Sequence, residues 1–529
     1  MDETSGAASS PGPESAGIAC CLSPGLAARF SPEQPPEQTS NVAVRWTEMQ
    51  PLTAHQDHFD ASQAQTRLNL GYVWTISLVA ALGGLLFGYD WVVIGGAKPF
   101  FERHFQLETG ALSGWANSCA LIGCLIGSSV TGGLSDWLGR KRLLAVAALL
   151  FAGSSVLTGW ASTFNAFVLW RIVGGVAIGM ASNLSPMYIA EVAPSRLRGR
   201  LVAVNQLTIV IGILAAQIVN WLIAVHMPHP AQPDKTLDEV RNAWNIQQGW
   251  RWMFTAVTVP SILFFVGALL IPESPRWLVK NGLGDRARAT LTRIGGAVHA
   301  ESEIAEIKST LAESDVGHVS FRTLLEPRLR KILLVGVLLA VLQQWSGINS
   351  IFNYAEEIYK SAGYGISDIM FNIVITGTIN LAFTLVAIGT VDKFGRRILM
   401  LIGCAGIGLS HLLIGIAYAS GLKGFIVLLL TLAALGCYAM SLAPVTWVLI
   451  SEIFPNRIRG AAISVAVSAL WIACFILTFM FPILRQKIGM SGTFWLYSAI
   501  CLAGFVFVLR RVPETKGKSL ETIEHELVR

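Results

Sequence analysis

The stretch Gly133-Leu-Ser-Asp136-Trp-Leu-Gly139-Arg140-Lys141-Arg142 returns 256 residues later (136 to 392) as Val391-Asp392-Lys-Phe-Gly395-Arg396-Arg397. A second pair recurs after 261 residues (191 to 452, 198 to 459). In it, Pro186-Met-Tyr-Ile-Ala-Glu191 followed by Arg196-Leu-Arg198-Gly199 returns as Pro444-Val-Thr-Trp447, Glu452 and Arg457-Ile-Arg459-Gly460. Order and spacing agree, so the chain reads as two halves repeated in parallel. Each basic motif lies between long apolar runs, and membrane proteins built from such repeats place their shared site at the repeat interface near the bilayer midplane.

Composition agrees with a membrane protein. Of 529 residues, 53% are hydrophobic and only 14% charged, with a mean hydropathy of +0.56; soluble domains carry about 25% charged residues. A crossing helix needs about 20 apolar residues. Such runs lie near 71–95, 110–132, 143–162, 164–188, 201–225 and 252–271, and again near 331–352, 368–390, 398–418, 424–449, 460–482 and 491–509. The expected fold class is therefore all-α integral membrane, with twelve transmembrane helices in two six-helix halves, 67–272 and 331–512.

Lys and Arg in the short loops set the orientation. Arg140-Lys141-Arg142, Arg196/Arg198/Arg200, Lys393/Arg396/Arg397 and Arg457/Arg459 fall in the second–third, fourth–fifth, eighth–ninth and tenth–eleventh connections. By the positive-inside rule these loops are cytoplasmic, as then are both termini and the 273–330 connection. The net charge of +6 follows from this asymmetry, and nucleic-acid binding is not expected. Within 273–330, helical spacing in Asp285-Arg-Ala-Arg-Ala-Thr-Leu and Ile304-Ala-Glu-Ile-Lys predicts a helical linker.

Residues 1–66 are rich in Pro, Ser, Ala and Gln and too poor in apolar groups to form a core; a disordered cytoplasmic tail is expected. Asp2 and Glu3 replace the basic start of a secretory signal, and Met49 is an alternative start. The last residues, 513–529, read as a cytoplasmic C-terminal tail. Cys119, Cys124, Cys404, Cys437, Cys474 and Cys501 stand singly in apolar runs, without metal-ligand spacing, and read as packing residues. No metal or cofactor is expected. No phosphate-cradling Gly-x-x-x-x-Gly-Lys-Ser/Thr occurs, and Gly123-x-x-x-Gly127 and Gly174-Gly175-x-x-x-Gly179 read as helix contacts. Any uphill work must come from an ion gradient. No nucleophile–base pair or metal cluster suggests an enzyme.

Several motifs together resemble the sugar porter family of the major facilitator superfamily. They are Phe87-Gly-Tyr-Asp90, the two Gly-Arg-Lys/Arg loops, Pro272-Glu-Ser-Pro-Arg276, Gln343-Gln344-Trp-Ser-Gly347-Ile-Asn349, the Pro444 to Pro455 stretch and Pro513-Glu-Thr-Lys-Gly517. The likeness runs from about 70 to 525 and is greater to proton-coupled bacterial members than to human facilitative ones. It implies the major facilitator fold, a monosaccharide (pentose or hexose, such as xylose or glucose) as substrate, a proton as coupling ion and a multi-pass protein of the cell membrane, the inner one where there are two. It also implies a working monomer.

Asp90 closes the first span and Arg171 opens the fourth. A charge at a helix centre costs about 2.5–3.5 kcal/mol on insertion scales, so the two are expected to face each other. The resemblance implies that Asp90 is the proton-coupling group with Arg171 its partner; facilitative members have an amide there. A purely structural salt bridge is the alternative, and His411 reads as a packing histidine rather than a relay.

A bound sugar needs a partner for each hydroxyl, which Gln and Asn supply as donor and acceptor at once, and Trp adds a flat apolar face. The resemblance implies that Gln206, Gln343, Gln344, Asn349, Asn380, Trp447 and Trp471 contact the sugar; each amide alone has a helix–helix hydrogen bond as its alternative. Asn349 lies about 140° around a straight helix from Gln344, so Gly347 is expected to loosen that helix. Asn353, Ala443, Leu470 and Ile213 depart from the family's pattern, predicting a tighter cavity poorer in hydrogen-bond partners. Asp136, Arg140, Glu191, Arg198, Asp392, Arg396, Glu452 and Arg459 resemble the family's cytoplasmic gate. Three readings of function compete: a proton-coupled symporter, a passive facilitator with the same fold, and a non-transporting sugar sensor.

Overall fold

A computed structural model describes residues 68–226, 243–314, 324, 326–455, 458–516 and 518. The expected tail lies outside these residues, as do Arg457 and the side chain of Asp392. All the extended elements among them are helical. The first half holds α1 (Leu70–His104), α2 (Gly110–Leu138), α3 (Arg140–Gly159), α4 (Phe164–Val192) and α5 (Ser195–His226). Its sixth span is a π-helical turn at Asn245–Gly249 continued by α6 (Trp250–Thr255) and α7 (Thr258–Leu270). Starts are set locally: the side chains of Asn69, Thr109 and Thr163 accept from the N–H groups of Tyr72, Leu112 and Ala166, which relieves donors no helix can satisfy internally.

Two helices lie between the halves, α8 (Pro275–Lys280) and α9 (Gly284–Ser314), the latter bent at Gly296. The second half holds α10 (Pro327–Trp345), α11 (Ile348–Asn353), α12 (Ala355–Ser361), α13 (Ile366–Phe394), α14 (Arg396–Ala419), α15 (Phe425–Met440), α16 (Leu442–Glu452) and α17 (Arg459–Arg511). Eleven helical stretches among the described residues are long and apolar enough to cross a membrane. The last of them, α17, has 53 residues and a non-helical Gly489. Straight, it would run about 80 Å at 1.5 Å per residue, far beyond a hydrocarbon core of about 30 Å. It is two spans joined at Gly489, which restores the twelve expected.

The sequence repeat returns as a packing repeat. In the first half α1 packs on α5, α2 on α4 and α3 on α7. In the second, Trp345 of α10 donates to the Ala473 carbonyl before Gly489, α13 packs on α15, and Ser498, after Gly489, donates to the Gly408 carbonyl of α14. The glycine pairs serve close approach: a Cβ on Gly123 or Gly127 would collide with backbone at Ile172 and Val176, and one on Gly175 or Gly179 with backbone at Ala120 and Cys124. Small residues let membrane helices touch backbone to backbone. The halves meet along α2 with α17 and α5 with α13, where Gln217 donates to Thr376 at 3.5 Å. Val259 and Leu270 of the sixth span are 74% and 80% exposed, as a face turned to lipid requires.

Candidate functional site

The seventh span breaks where its sequence allows. Helix α10 ends at Trp345, Gly347 adopts φ 88°, and α11 begins at Ile348. Only glycine enters that region without strain, and a Cβ there would meet the Tyr497 ring. The break swings Asn349 back onto Gln344: Asn349 Nδ2 donates to Gln344 Oε1 at 2.5 Å, and Gln344 Nε2 donates to Gln343 Oε1 at 3.2 Å. All three amides are buried. The loosening expected from the 140° mismatch is present and gathers the amides into one chain.

His411 braces that break. Its Nε2 lies 2.9 Å from the Ser346 carbonyl. A carbonyl only accepts, so the ring nitrogen donates, closing an acceptor that the interrupted helix leaves open. Fully buried, it meets the rings of Phe494 and Tyr497 at tilted angles of 45° and 54°, so in this arrangement it braces the break.

The tenth span breaks as well. Pro444 lacks an N–H and cannot continue α15, so Ser441 leaves helical geometry and α16 restarts at Leu442. Gln343 Nε2 donates to the carbonyls of Leu442 and Ala443 at the start of α16, both at 3.3 Å. Part of Gln343 is thus committed to backbone. Ala443, one of the departures, supplies an acceptor here through its main chain.

Trp471 is buried, with its indole N–H unpartnered, and its ring meets Trp91 and Phe87 of α1 at centroid distances of 6.0 and 6.2 Å. Asn349 reaches Cys474, one turn along from Trp471, at 3.7 Å. Trp471, Gln343, Gln344 and Asn349 therefore share one region facing the first half. The described hydrogen bonds do not extend to Gln206 (half-buried) or Asn380 (buried), and Trp447 is 39% exposed on α16. Trp91, which sequence reading passed over, lines a cavity with Asn117, Cys124, Arg171 and Asn353; its position next to Asp90 was the available signal. Leu470 and Ile213 are buried.

Asp90 and Arg171 do face each other. Arg171 NH1 donates to Asp90 Oδ1 at 2.9 Å, and both side chains are 4% exposed. Arg171 also lies over the Phe254 ring, 5.3 Å from its centroid. Asp90 Oδ2 and Arg171 Nε have no partner, so the contact is a single hydrogen bond where the side chains could make two.

At the basic end, Arg140 grips Glu191 through two bonds of 3.0 Å and Asp136 through another of 3.0 Å, while Lys280 takes the second Asp136 oxygen at 2.9 Å. Arg396 pairs with Glu452 at 3.3 Å, Arg459 Nε donates to the Phe454 carbonyl, and Arg198 is exposed. The Arg140 and Arg396 pairs each stay within their own half, and Lys280 ties α8 to the first. Two further carboxylates belong to the repeat. Glu273 accepts from the N–H groups of Arg140 and Lys141 at the start of α3, and Glu514 accepts from those of Arg396 and Arg397 at the start of α14. They sit beside Gly139 (φ 90°) and Gly395 (φ 89°). A carboxylate at a helix N-terminus meets unsatisfied donors and the positive end of the dipole. Burial alone would raise the Glu514 carboxyl, but the N–H groups of Lys516, Arg396 and Arg397 outweigh it and hold it below the usual carboxylate value.

Comparison with known proteins agrees with this architecture. The model of the family described as sugar (and other) transporter matches residues 76–527. The chain belongs to that family. It is 38% identical over 457 residues to the arabinose-proton symporter of Bacillus subtilis, covering 86% of this chain and 95% of that one. It is 37% identical over 490 residues to the D-xylose-proton symporter of Escherichia coli K12, covering 87% and 96%. A partially occluded inward-open structure of the Escherichia coli xylose transporter superposes with a TM-score of 0.74 at 36% identity, covering 85% of this chain and all of that one. The chain is thus a multi-pass membrane protein with the major facilitator fold.

Proposed function

We propose that this protein is a proton-coupled monosaccharide symporter that works by alternating access between its two six-helix halves, residues 67–272 and 331–512. The observation that carries the reading is the buried Asp90–Arg171 pair, held by one hydrogen bond with an oxygen and an N–H to spare. Its two members come from different helices of one half. Beside Arg171 the carboxylate is compensated; drawn away from it in a low-dielectric site, an ionised carboxylate is costly and a proton neutralises it. Helix motion thereby becomes proton uptake or release. Relatives named as arabinose- and xylose-proton symporters support the pairing of proton with sugar.

In this reading the sugar lies against Gln344, Asn349 and Trp471, with Gln343, Gln206, Asn380 and Trp447 completing the site as the halves close. The amides bond one another, so sugar hydroxyls would exchange for bonds the amides can already make and desolvation is lessened. The basic end is cytoplasmic, with both termini and the 273–330 helices on that side, and the carrier works as a monomer. Because the described gate pairs at the basic end stay within their halves, we read this conformation as inward-facing. The full set of Asp136, Arg140, Glu191, Arg198, Asp392, Arg396, Glu452 and Arg459 would meet across the halves in the outward-facing state.

Uptake of a panel of labelled monosaccharides into proteoliposomes, with and without an inward proton gradient, tests the proposal. Accumulation above the outside concentration only with the gradient is expected. Equilibration that ignores the gradient would make the protein a facilitator, and no uptake with intact binding would make it a sensor.

A further inference from the structure

A second cluster of charges lies beyond the site, at the end opposite the basic loops. Lys98 stands two turns past Asp90 on α1 and is 2% exposed. Its ammonium contacts Glu102 at 2.8 Å, Glu357 at 2.5 Å and Glu356 at 3.9 Å, and it lies over the Tyr354 ring, 5.6 Å from the centroid. Arg485 pairs with the other oxygen of Glu357 at 2.7 Å, and Lys360 with Glu356 at 3.7 Å. Glu102 accepts from Ser113 at 2.5 Å and from Asn117 at 3.4 Å. Lys98, Glu102, Ser113 and Asn117 belong to the first half. Glu356, Glu357, Lys360 and Arg485 belong to the second.

We propose that Lys98 with Glu357 is a latch that holds the outer end shut and sets the balance between the two access states. The inference rests on the alternating-access reading. Formal charge divides evenly along the line between the halves: Lys98 with Glu102 is neutral, and Glu356 and Glu357 with Lys360 and Arg485 are neutral. Parting the halves therefore strands no charge, because each side keeps an internal partner. What parting breaks is the Lys98 contact to Glu357, and with it the weaker ones to Glu356 and the Tyr354 ring. A cluster serving stability alone has no need to divide in this way. A buried charge deprived of every partner would be prohibitive at membrane depth, whereas a latch must be able to open. Closer in, the cavity lined by Trp91, Ile94, Asn117, Cys124, Arg171 and Asn353 lies next to the latch through Asn117, so opening the latch exposes it to the outside.

Cys124, buried on that cavity wall, reports the opening. Intact cells are treated with a membrane-impermeant maleimide and labelling of Cys124 is followed by peptide mass spectrometry. In Lys98→Met and Glu357→Gln the rate should rise about tenfold or more, the change that about 1.4 kcal/mol of latch free energy produces. The double variant should rise no further than the larger single, and Lys98→Arg should label like wild type. If a single variant fails to reach the membrane, the double variant, which removes both latch partners together, decides. Wild-type labelling in folded variants, or a rise in Lys98→Arg equal to that in Lys98→Met, would overturn the latch. Sugar uptake by the same cells separates the two levels: normal uptake with unchanged labelling sinks the latch alone, and absent uptake in wild type sinks the transport reading.

Discussion

Replacing Gln344 by Ala tests whether the amide chain is a binding site or a helix brace. Gln344 accepts from Asn349 at 2.5 Å and donates to Gln343 at 3.2 Å. Truncation removes one acceptor and two N–H donors from a region where Gln343 and Asn349 are also buried. A hydrogen-bonding group stranded without water costs about 1–3 kcal/mol. Applied to the bound sugar, that is an affinity loss of about 5- to 150-fold, which takes a weak ligand beyond detection. Titration calorimetry on detergent-solubilised protein, with Trp fluorescence as a second signal, measures it. Gln343→Ala is the comparison: because Gln343 Nε2 already holds the Leu442 and Ala443 carbonyls, this variant should lose thermal stability as well as affinity. Wild-type affinity in a folded Gln344→Ala protein would refute the site, and a stability loss with unchanged affinity would make the amides braces only.

Other expectations follow from single contacts. His411→Leu should lower the melting temperature, since the Ser346 carbonyl loses its short bond at 2.9 Å and keeps only the Cys501 thiol at 3.7 Å, a loss of about 1–3 kcal/mol, yet leave proton-driven uptake intact; loss of coupling at full folding would restore His411 as a relay. Gly175→Val should not yield folded protein in the membrane, because its Cβ would collide with the Ala120 backbone, and normal abundance by quantitative blotting would contradict the α2–α4 contact. Deleting residues 1–60 should leave uptake rate and affinity unchanged, and a large loss at equal abundance would revive the sensor reading.

The spans, the repeat and the helix break were legible because each has a local signature. Apolar length gives a span, Gly347 between Gln344 and Asn349 gives the break, and duplicated loops give the halves. The linker helices were legible from periodicity. What escaped depends on contacts between distant segments. Lys98 and Glu102 near a helix end look like charges reaching for the interface, and only the fold brings Glu357, 259 residues away, against Lys98. Glu273 and Glu514 stood in motifs the sequence displayed, but their task of accepting from the first turns of α3 and α14 needs the loops' geometry. Gln343's bond to the Leu442 and Ala443 carbonyls was equally hidden, because Pro444 announces that a helix breaks without saying which side chain from another span packs against the restart.

The central claim is that Asp90 couples the proton to the sugar, and Asp90→Asn in proteoliposomes tests it most directly. The amide keeps the shape of a protonated carboxyl and a contact for Arg171, but it cannot exchange a proton between the two faces. Counterflow of labelled sugar, which needs no gradient, should therefore continue, while accumulation driven by an inward proton gradient should vanish. Continued pH-dependent accumulation by Asp90→Asn would contradict the account and place the coupling group elsewhere.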